Sequence, residues 1–249
     1  MNFNKQRAIV WFSCGASSAV ASKLAMKKYE NIEIVYCDPG GEHPTNKKFL
    51  KDIEKWIEKD ITILKSEKYD SHFDVFRSGY LNGIYGAKCT TELKKILRLE
   101  YQRPDDIHIF GYTVEEKKRA EKFENYNPEL FVDWILIEKG ITKENCLGML
   151  WKSEIELPKM YDLGYNHNNC IGCVKGGMGY WNKIRKDFPG HFNEMAKIER
   201  EIDHSIFRDK NNNKIFLDEL NPNAGNFKKE PSISCDLSCG ILYNEIERQ

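Results

Sequence analysis

The sequence has no excess of charge of either sign and no long apolar run. It contains 38 Lys and Arg against 38 Asp and Glu in 249 residues, so its formal net charge is zero. A neutral chain has no global attraction to nucleic acid or to an anionic membrane, and any such contact must use a local patch. No apolar stretch approaches the roughly 20 residues that cross a bilayer, and the N-terminus lacks a secretory pattern. We therefore expect a soluble, cytoplasmic protein without membrane contact.

The chain also has too few cysteines for a disulfide scaffold. There are eight, unevenly spaced, so metal or sulfur chemistry explains some of them better. Cys37 ends an apolar strand and Cys146 lies in an apolar helix, and we expect both to be inert core thiols. Cys170 and Cys173 flank a two-residue turn that contains Gly172. Such a turn lets both thiolates face one metal.

Bulky side chains are missing between the first apolar run and the helix that follows it. Residues 13–18 read Ser-Cys-Gly-Ala-Ser-Ser. An anion lying against a turn needs close backbone approach, hydroxyl donors and N–H groups at a helix N-terminus. The segment lacks the lysine of the Walker loop and the three glycines of the dinucleotide fingerprint. We interpret it as a phosphate cradle, and the alternative is an ordinary serine cap on a helix.

Strand and helix patterns alternate over the first 140 residues. Strands are predicted at 8–12, 33–36, 61–64, 107–112 and 134–137, with helices ending at 29 and covering 45–57, 115–124 and 142–151. This alternation predicts an α/β fold, with a Rossmann-like, doubly wound parallel sheet of five strands. It stops near residue 151, and helices are predicted at 180–186 and 192–202. We predict a nucleotide-binding domain over 1–150 and a helical or irregular, cysteine-containing region over 151–249 packed on it.

Polar residues follow three of the predicted strands. In doubly wound sheets, ligands bind beyond the carboxyl ends of the strands. The cradle follows the first strand, a segment from Asp38 to Glu42 follows the second, and Gly111 to Arg119 follows the fourth. Asp38 is expected to accept from a ribose hydroxyl or help hold Mg²⁺, and Arg119 to neutralise a leaving phosphate. A solvated helix face is the alternative for residues 115–119.

These motifs together resemble the phosphoadenosine phosphosulfate (PAPS) reductase family of the PP-loop ATP pyrophosphatase superfamily, whose fold is adenine nucleotide alpha hydrolase-like. The PP-loop pattern S-G-G-x-D-S is matched by Ser13, Gly15 and Ser18, whereas Cys14 and Ser17 depart from it. The segment after the second strand is similar to the family's D-T-G-x-E. The segment after the fourth is similar to G-x-R-x-x-E-S-x-x-R, with its first arginine replaced, and its matching residues are Gly111, Glu116 and Arg119.

The cysteines resemble those of the iron–sulfur members of the family. Those members pair a cysteine before a basic helix with a distant C-x-x-C, here Cys89 with Cys170 and Cys173. The resemblance implies a 4Fe–4S cluster on these thiols. The family has adjacent cysteines where this chain has Lys followed by Cys89, so Cys239, or alternatively Cys235, is implied as the fourth ligand. Zinc on the same thiols is the alternative cofactor.

The resemblance further implies an enzyme that binds ATP and Mg²⁺, adenylates a substrate and then admits sulfur. The favoured setting is DNA phosphorothioation, with a cysteine desulfurase as the sulfur donor. The residues implied in catalysis are Ser13, Ser17, Ser18, Asp38 and Arg119. Those implied in nucleotide binding are Ser13, Cys14, Gly15, Ala16, Ser17, Ser18, Asp38, Glu42, Gly111 and Glu116.

The sequence leaves two alternative functions open, and it also predicts a surface that would bind DNA. One is reduction of PAPS or adenylyl sulfate by Cys239, and the other is a non-catalytic zinc module that binds nucleic acid or a protein partner. DNA is expected to bind to a local basic patch whose residues are interleaved with Tyr180 and Trp181. Its predicted members are Lys94, Lys95, Arg98, Lys175, Lys183, Arg185 and Lys186.

Overall fold

The computed structural model describes residues 6–83, 86–231 and 233. Its strands are β1 (Ala8–Phe12), β2 (Ile32–Cys37), β3 (Thr62–Leu64), β4 (Asn82–Gly83), β5 (Gly86–Ala87), β6 (Ile107–Phe110), β7 (Phe131–Asp133), β8 (Phe207–Arg208) and β9 (Lys214–Ile215). Its α-helices are α1 (Ala16–Lys28), α2 (Asn46–Ile57), α3 (His72–Arg77), α4 (Lys88–Thr90), α5 (Ile96–Tyr101), α6 (Lys117–Tyr126), α7 (Ile135–Glu138), α8 (Lys143–Lys152), α9 (Lys159–Asp162), α10 (Met178–Asp187) and α11 (Pro189–Glu201). A π-helical stretch, Thr91–Lys95, joins α4 to α5.

The main sheet is parallel, and β1 lies at its centre. The strand order is β3-β2-β1-β6-β7, and every residue of β1 is buried. A central parallel strand is covered on both faces, which explains why β1 reads as a continuous apolar run. Val10 of β1 pairs with Ile34 of β2 and with Ile109 of β6. The prediction of a five-stranded, doubly wound α/β sheet is confirmed.

Alternate residues of β1 supply two separate cores. Val10 and Phe12 face α1, α2 and α8, where Phe49 and Leu150 are buried against them. Ile9 and Trp11 face the other side, where they join a cluster with residues of β6 and α6. This two-residue alternation is the geometry of an extended strand, in which successive side chains point to opposite faces. The helices on both faces hold β1, and therefore the loop that follows it, in place.

The sheet order reverses between β1 and β6. The chain runs outward from β1 through β2 to β3, and it then returns to place β6 and β7 on the other side of β1. Loops leaving β1 and β6 diverge at such a switch point and leave a crevice at the carboxyl ends of the strands. The cradle follows β1 and Gly111 follows β6. The topology therefore brings these two motifs to one crevice.

The C-terminal helices form a third core, centred on Trp181, Tyr180 and Met195. Phe76 and Leu81, from the first half of the chain, are part of this cluster. The α10 and α11 region therefore packs against the segment that leads into Cys89. The domain boundary near residue 150 stays a prediction.

One predicted element is wrong and two helical segments were not predicted. The strand expected at 134–137 lies earlier, as β7, and residues 135–138 form α7 instead. A short apolar run fits a strand or a buried helical turn equally well, and here pairing of β7 with β6 decides between them. The helical segments α3 and α9 were missed, whereas the basic helix expected after Cys89 is present within residues 88–101. Within the described part of the chain, no helix is long and apolar enough to cross a membrane.

Candidate active site

The cradle, residues 13–18, is the N-terminal entry into α1. Gly15 caps the helix in an extended conformation, and the Ala19 N–H donates the first helical bond, to the Gly15 carbonyl. The N–H groups of residues 16–18 therefore stand outside the helical ladder. The first turn contains no acidic residue, so nothing in it neutralises the positive end of the helix dipole. The helix start has the polarity that a phosphate requires.

The hydroxyl of Ser18 shapes the cradle. Its Oγ accepts from the Ser13 N–H at 3.0 Å and donates to the Gly15 carbonyl at 2.9 Å. Ser13 Oγ lies 3.1 Å from Ser18 Oγ. Ser17 lines the cavity described below, close to the thiol of Cys146. Burial raises the pKa of that thiol to about 11, so Cys146 is the inert core thiol that the sequence predicts.

Cys14 turns the chain beneath the cradle and directs its thiol away from it. Its φ is +54°, a left-handed conformation in which glycine is the unstrained residue. This explains why the family pattern has glycine at this position. The thiol is buried and lies 3.5 Å from the Asn46 carbonyl. Burial, with the charges of Glu42 and Asp38, raises its pKa well above the usual value, so Cys14 contributes backbone shape and no nucleophile.

A cavity lies above the cradle, between the ends of β1 and β6. About 850 Å³ of space that no atom fills lies within it, and part of that space is open solvent. Trp11, Phe12, Phe110 and Tyr112 supply aromatic walls. Its polar lining residues are Ser13, Ser17, Ser18, Lys94, Glu116, Arg119, Lys143, Tyr161, His167, Asn168 and Asn169. Among these described residues there are three cations and one carboxylate, so the cavity favours an anionic ligand.

Gly111 allows β6 to approach the cradle. A Cβ atom at this position would lie 2.6 Å from the Ser18 nitrogen and 2.9 Å from the Ser17 carbonyl carbon. Both of these are backbone atoms at the start of a helix, so no side-chain rotation relieves the contact. Glycine is required here for packing, and the sequence placed it correctly at this edge of the sheet.

Glu116 and Arg119 line the same cavity, and they are not a solvated helix face. Arg119 pairs with Glu116 and lies over the Tyr112 ring, with its guanidinium carbon 4.4 Å from the ring centroid. Glu116 also accepts from the Thr113 N–H at 3.3 Å and caps the short 3₁₀ turn before α6. Thr113, which replaces the family arginine, is buried. The arginine is therefore held by stacking and pairing at the rim of the cavity.

Asp38 and Glu42 do not line the cavity. Asp38 accepts from the Gly40 N–H at 2.9 Å and pairs with Lys65 at 3.2 Å, so its carboxylate closes a local turn. Glu42 accepts from the Tyr36 hydroxyl and the Asn46 amide at 2.8 and 2.6 Å. Burial raises the pKa of Glu42, against the opposing effect of nearby Lys94. Neither carboxylate is part of the cavity lining, and their contacts with nucleotide or Mg²⁺ stay predictions.

Three lining residues come from parts of the chain that gave no signal in the sequence. Lys143 begins α8 and donates to the Tyr161 hydroxyl at 3.2 Å, and that hydroxyl lies 3.5 Å from the Ala16 nitrogen. Burial, with nearby Lys143, lowers the pKa of His167 to about 4, so this imidazole is neutral at pH 7. Cys37 also lines the cavity. Burial raises the pKa of the Cys37 thiol to about 12, which fits the prediction of an inert thiol. Cys37 was expected in the core, however, and not at the cavity.

The cysteine loop, residues 170–173, is a buried turn fixed by Tyr180. Gly172 adopts a φ of +83°, and the N–H groups of Gly172 and Cys173 donate to the Tyr180 hydroxyl at 3.1 and 3.0 Å. Cys170 and Cys173 are both buried. Cys89, in α4, packs against the hydrophobic cluster that contains Cys173. Cys89 and Cys173 are thus associated with one core, and Cys170 lies in the same turn as Cys173.

The choice between an iron–sulfur cluster and a single zinc ion on these thiols stays a prediction. Zinc needs all its sulfurs at about 2.3 Å from one point. No group of three or more His, Cys, Asp or Glu in the described ranges could hold a single ion in this way. Cys235 and Cys239, the predicted fourth ligands, lie outside the described residues.

The basic track expected to bind DNA is not formed as predicted. Tyr180 and Trp181 are only 1% and 0% exposed, so neither can stack on a base. They occupy the inner face of α10, which the sequence alone did not distinguish from its outer face. Lys183 pairs with Asp187 at 2.7 Å. Arg185 donates to two backbone carbonyls, at 3.0 and 2.8 Å.

Comparison with known proteins identifies the family. Residues 7–134, slightly more than half of the chain, match the phosphoadenosine phosphosulfate reductase domain. The fold is that of an α/β protein with a five-stranded parallel sheet, and the chain belongs to the phosphoadenosine phosphosulfate reductase family. The resemblance found in the motifs is confirmed, and membership of a reductase family supports the prediction of an enzyme.

More distant relatives were also found. Two uncharacterized proteins of Methanocaldococcus jannaschii are 22% and 23% identical to the chain over 207 and 211 residues. These matches cover 78% and 79% of this chain but 48% and 42% of the relatives, so the chain spans less than half of their length. A solved structure, the U34-tRNA thiolase NcsA from Methanococcus maripaludis with its 4Fe–4S cluster, matches 81% of this chain and 74% of its own. Its sequence identity is 15% and the TM-score is 0.47.

Proposed function

We propose that this protein is an ATP pyrophosphatase that activates a substrate for sulfur transfer. A substrate oxygen attacks the α-phosphorus of ATP, a new oxygen–phosphorus bond forms, and the bond to pyrophosphate breaks. A sulfur nucleophile then displaces AMP from the adenylated substrate. The observation that carries the proposal is the cationic cavity over an uncompensated helix N-terminus at the switch point of the sheet.

The cradle suits the pyrophosphate end of the nucleotide. N–H groups at the start of α1 and the ammonium of Lys143 lie on one side of the cavity, with the Tyr161 hydroxyl between them. Fixed donors of this kind stabilise negative charge as it develops on a leaving group, and they need no reorganisation during the reaction. Mg²⁺ adds charge neutralisation when it is bound to the triphosphate, and Glu116 is the carboxylate that lines the cavity.

Arg119 is a second cation of the site, and it lies at the rim of the cavity next to the aromatic wall. Its stacking on Tyr112 and pairing with Glu116 fix the guanidinium against the aromatic wall. A planar guanidinium binds phosphate oxygens in a defined orientation, whereas a lysine acts as a point charge. Arg119 therefore orients the phosphate chain, and Lys143 neutralises it.

The cysteine loop supplies the sulfur side of the proposal. Cys170, Cys173 and Cys89 would hold an iron–sulfur cluster, which when bound offers an iron site for the incoming sulfur. DNA phosphorothioation, with a cysteine desulfurase as donor, is the acceptor reaction that the sequence motifs favour. Since α10 supplies no exposed stacking aromatics, DNA would be held through phosphate contacts or by a partner protein.

Product analysis of ATP turnover tests the proposal. Protein purified without oxygen is incubated with ATP, Mg²⁺ and a sulfide donor, alone or with DNA, RNA or a sulfonucleotide, and phosphorus NMR identifies the products. We expect AMP and pyrophosphate in equal amounts, with turnover stimulated by the true acceptor. ADP with phosphate, or no turnover in any arm, contradicts the proposal. Sulfite from the sulfonucleotide arm without pyrophosphate release would establish the reductase alternative.

A matched pair of lysine variants on α8 separates the site from general effects of charge. Lys143→Met removes the ammonium that lines the cavity, and loss of a charge-assisted contact to phosphate weakens ATP binding by about tenfold or more. Lys152→Met removes the same charge from the exposed far end of the same helix and leaves ATP affinity unchanged. Equal affinities in the two variants would remove Lys143 from the proposed site.

A further inference from the structure

We infer that Asn168 is a positioning residue that couples substrate bound at the cradle to the cysteine loop. The inference rests on the proposed function, because it assumes a nucleotide in the cavity. It adds a path by which ligand binding at the cradle restricts the motion of the cysteine loop, residues 170–173.

One end of this route is the contact between Asn168 and the cradle. The Asn168 side chain is 5% exposed, and its Nδ2 donates to the Cys14 carbonyl at 2.7 Å, across 154 positions of sequence. Cys14 has the positive φ described above, so the direction of its carbonyl depends on the backbone conformation of the cradle. Any change in the cradle that rotates this peptide is transmitted to the Asn168 side chain.

The other polar atom of Asn168 lies buried beside the cavity. Its Oδ1 is buried and has no hydrogen-bond partner among the described residues, although the residue lines the cavity. A buried acceptor without a donor is unfavourable, and a donor supplied by a ligand relieves that cost. A ribose hydroxyl or a water molecule carried by the nucleotide has the required chemistry. Substrate therefore makes a contact with Asn168 that the empty protein does not make.

The second end of the route is the hydrogen bonding of the cysteine loop. Asn168 precedes Cys170 by two residues. The Ile171 N–H donates to the Gly41 carbonyl at 2.9 Å, and the Ile171 carbonyl lies 2.9 Å from Nε2 of His72. Burial lowers the pKa of His72 to about 4, so the ring is neutral at pH 7 and Nε2–H donates to this carbonyl. Fixing Asn168 therefore restricts a short turn whose remaining amides are already anchored.

Hydrogen–deuterium exchange tests the coupling on the protein as purified, without oxygen. The probe is the non-cleavable analogue α,β-methylene ATP, and the readouts are the amides of residues 15–18 and those of residues 171–173. In the wild-type protein we expect the analogue to slow exchange in both segments, by roughly fivefold at the cysteine loop, the effect of about one hydrogen bond. In Asn168→Leu, slowing persists at 15–18 and is lost at 171–173.

Two further variants make the outcome decisive. Asn168→Asp keeps an acceptor but loses the donor to the Cys14 carbonyl, and it also loses the response at 171–173, so it carries the test if the leucine variant unfolds. Asn166→Leu changes an exposed asparagine two positions away and keeps both responses. Slowing at 171–173 that survives in Asn168→Leu or Asn168→Asp overturns the inference, as does its absence in the wild-type protein when 15–18 respond. Absence of slowing at 15–18 in the wild-type protein contradicts the proposed function itself.

Discussion

Replacing Gly111 by alanine probes the contact that joins β6 to the cradle. The new Cβ atom would lie 2.6 and 2.7 Å from the nitrogen and Cα atoms of Ser18. Ordinary contact requires at least about 3.4 Å, so β6 and the start of α1 must separate by about 0.8 Å. Because both partners are backbone held in a sheet and a helix, that separation displaces the N–H groups of the cradle.

The expected magnitudes follow from this displacement. Overpacking of a close-packed interior costs about 1–3 kcal/mol of unfolding free energy. A shift approaching 1 Å also misaligns the donors that hold phosphate, and loss of one charge-assisted hydrogen bond lowers ATP affinity by about tenfold or more. Gly111→Ala should therefore lose both stability and nucleotide affinity, while the rest of the sheet stays folded.

Urea unfolding and calorimetric titration with ATP measure the two effects. Gly148→Ala is the matched control, since this glycine lies within α8 and no atom lies within 4 Å of its Cβ position. In a helix interior that change stabilises by about 0.5–1 kcal/mol. If Gly111→Ala binds ATP as the wild-type protein does and is equally stable, the packing argument for the cradle is wrong.

Two other predictions concern stability away from the cavity. Asp106→Asn breaks a buried two-point ion pair in which Asp106 accepts from Arg7 at 2.8 and 2.6 Å. The substitution should lower the unfolding free energy, measured by urea titration, by about 3–5 kcal/mol. A loss below about 1 kcal/mol would contradict this expectation. Burial raises the pKa of Glu199 to about 7 from its ordinary 4.5. The folded state therefore holds the proton more tightly, and stability falls as pH rises from about 4.5 through 7, by up to about 3 kcal/mol. Thermal unfolding between pH 5 and 8 measures this dependence, and Glu199→Gln should lose it; an unchanged pH profile in that variant would assign the effect to other groups.

The sequence predicted the parts of the site that are local in the chain. The uniform apolar run of β1 followed by small residues located the cradle, because a central parallel strand must be buried on both faces. Gly111 was found because the carboxyl ends of the strands meet at one edge. Arg119 was placed correctly for the same reason.

The sequence could not predict the parts that depend on tertiary packing. Lys143, Tyr161 and Asn168 reach the cavity from segments more than 100 residues after the cradle, and nothing in their local pattern marks them. Asp38 lies outside the cavity lining and closes a turn with Gly40, which the sequence pattern does not reveal. An aromatic pair on a helix gives no sign of which face is buried, and for this reason Tyr180 and Trp181 were expected at the surface.

The position of the triphosphate tests the central claim most directly. A crystal structure with α,β-methylene ATP and Mg²⁺, from protein prepared without oxygen, shows it without reliance on turnover. We expect the β- and γ-phosphates against the N–H groups of residues 16–18 and in contact with Lys143 and Arg119, with the α-phosphorus open to the cavity. A triphosphate directed away from α1, or a nucleotide bound outside the cavity, would contradict it.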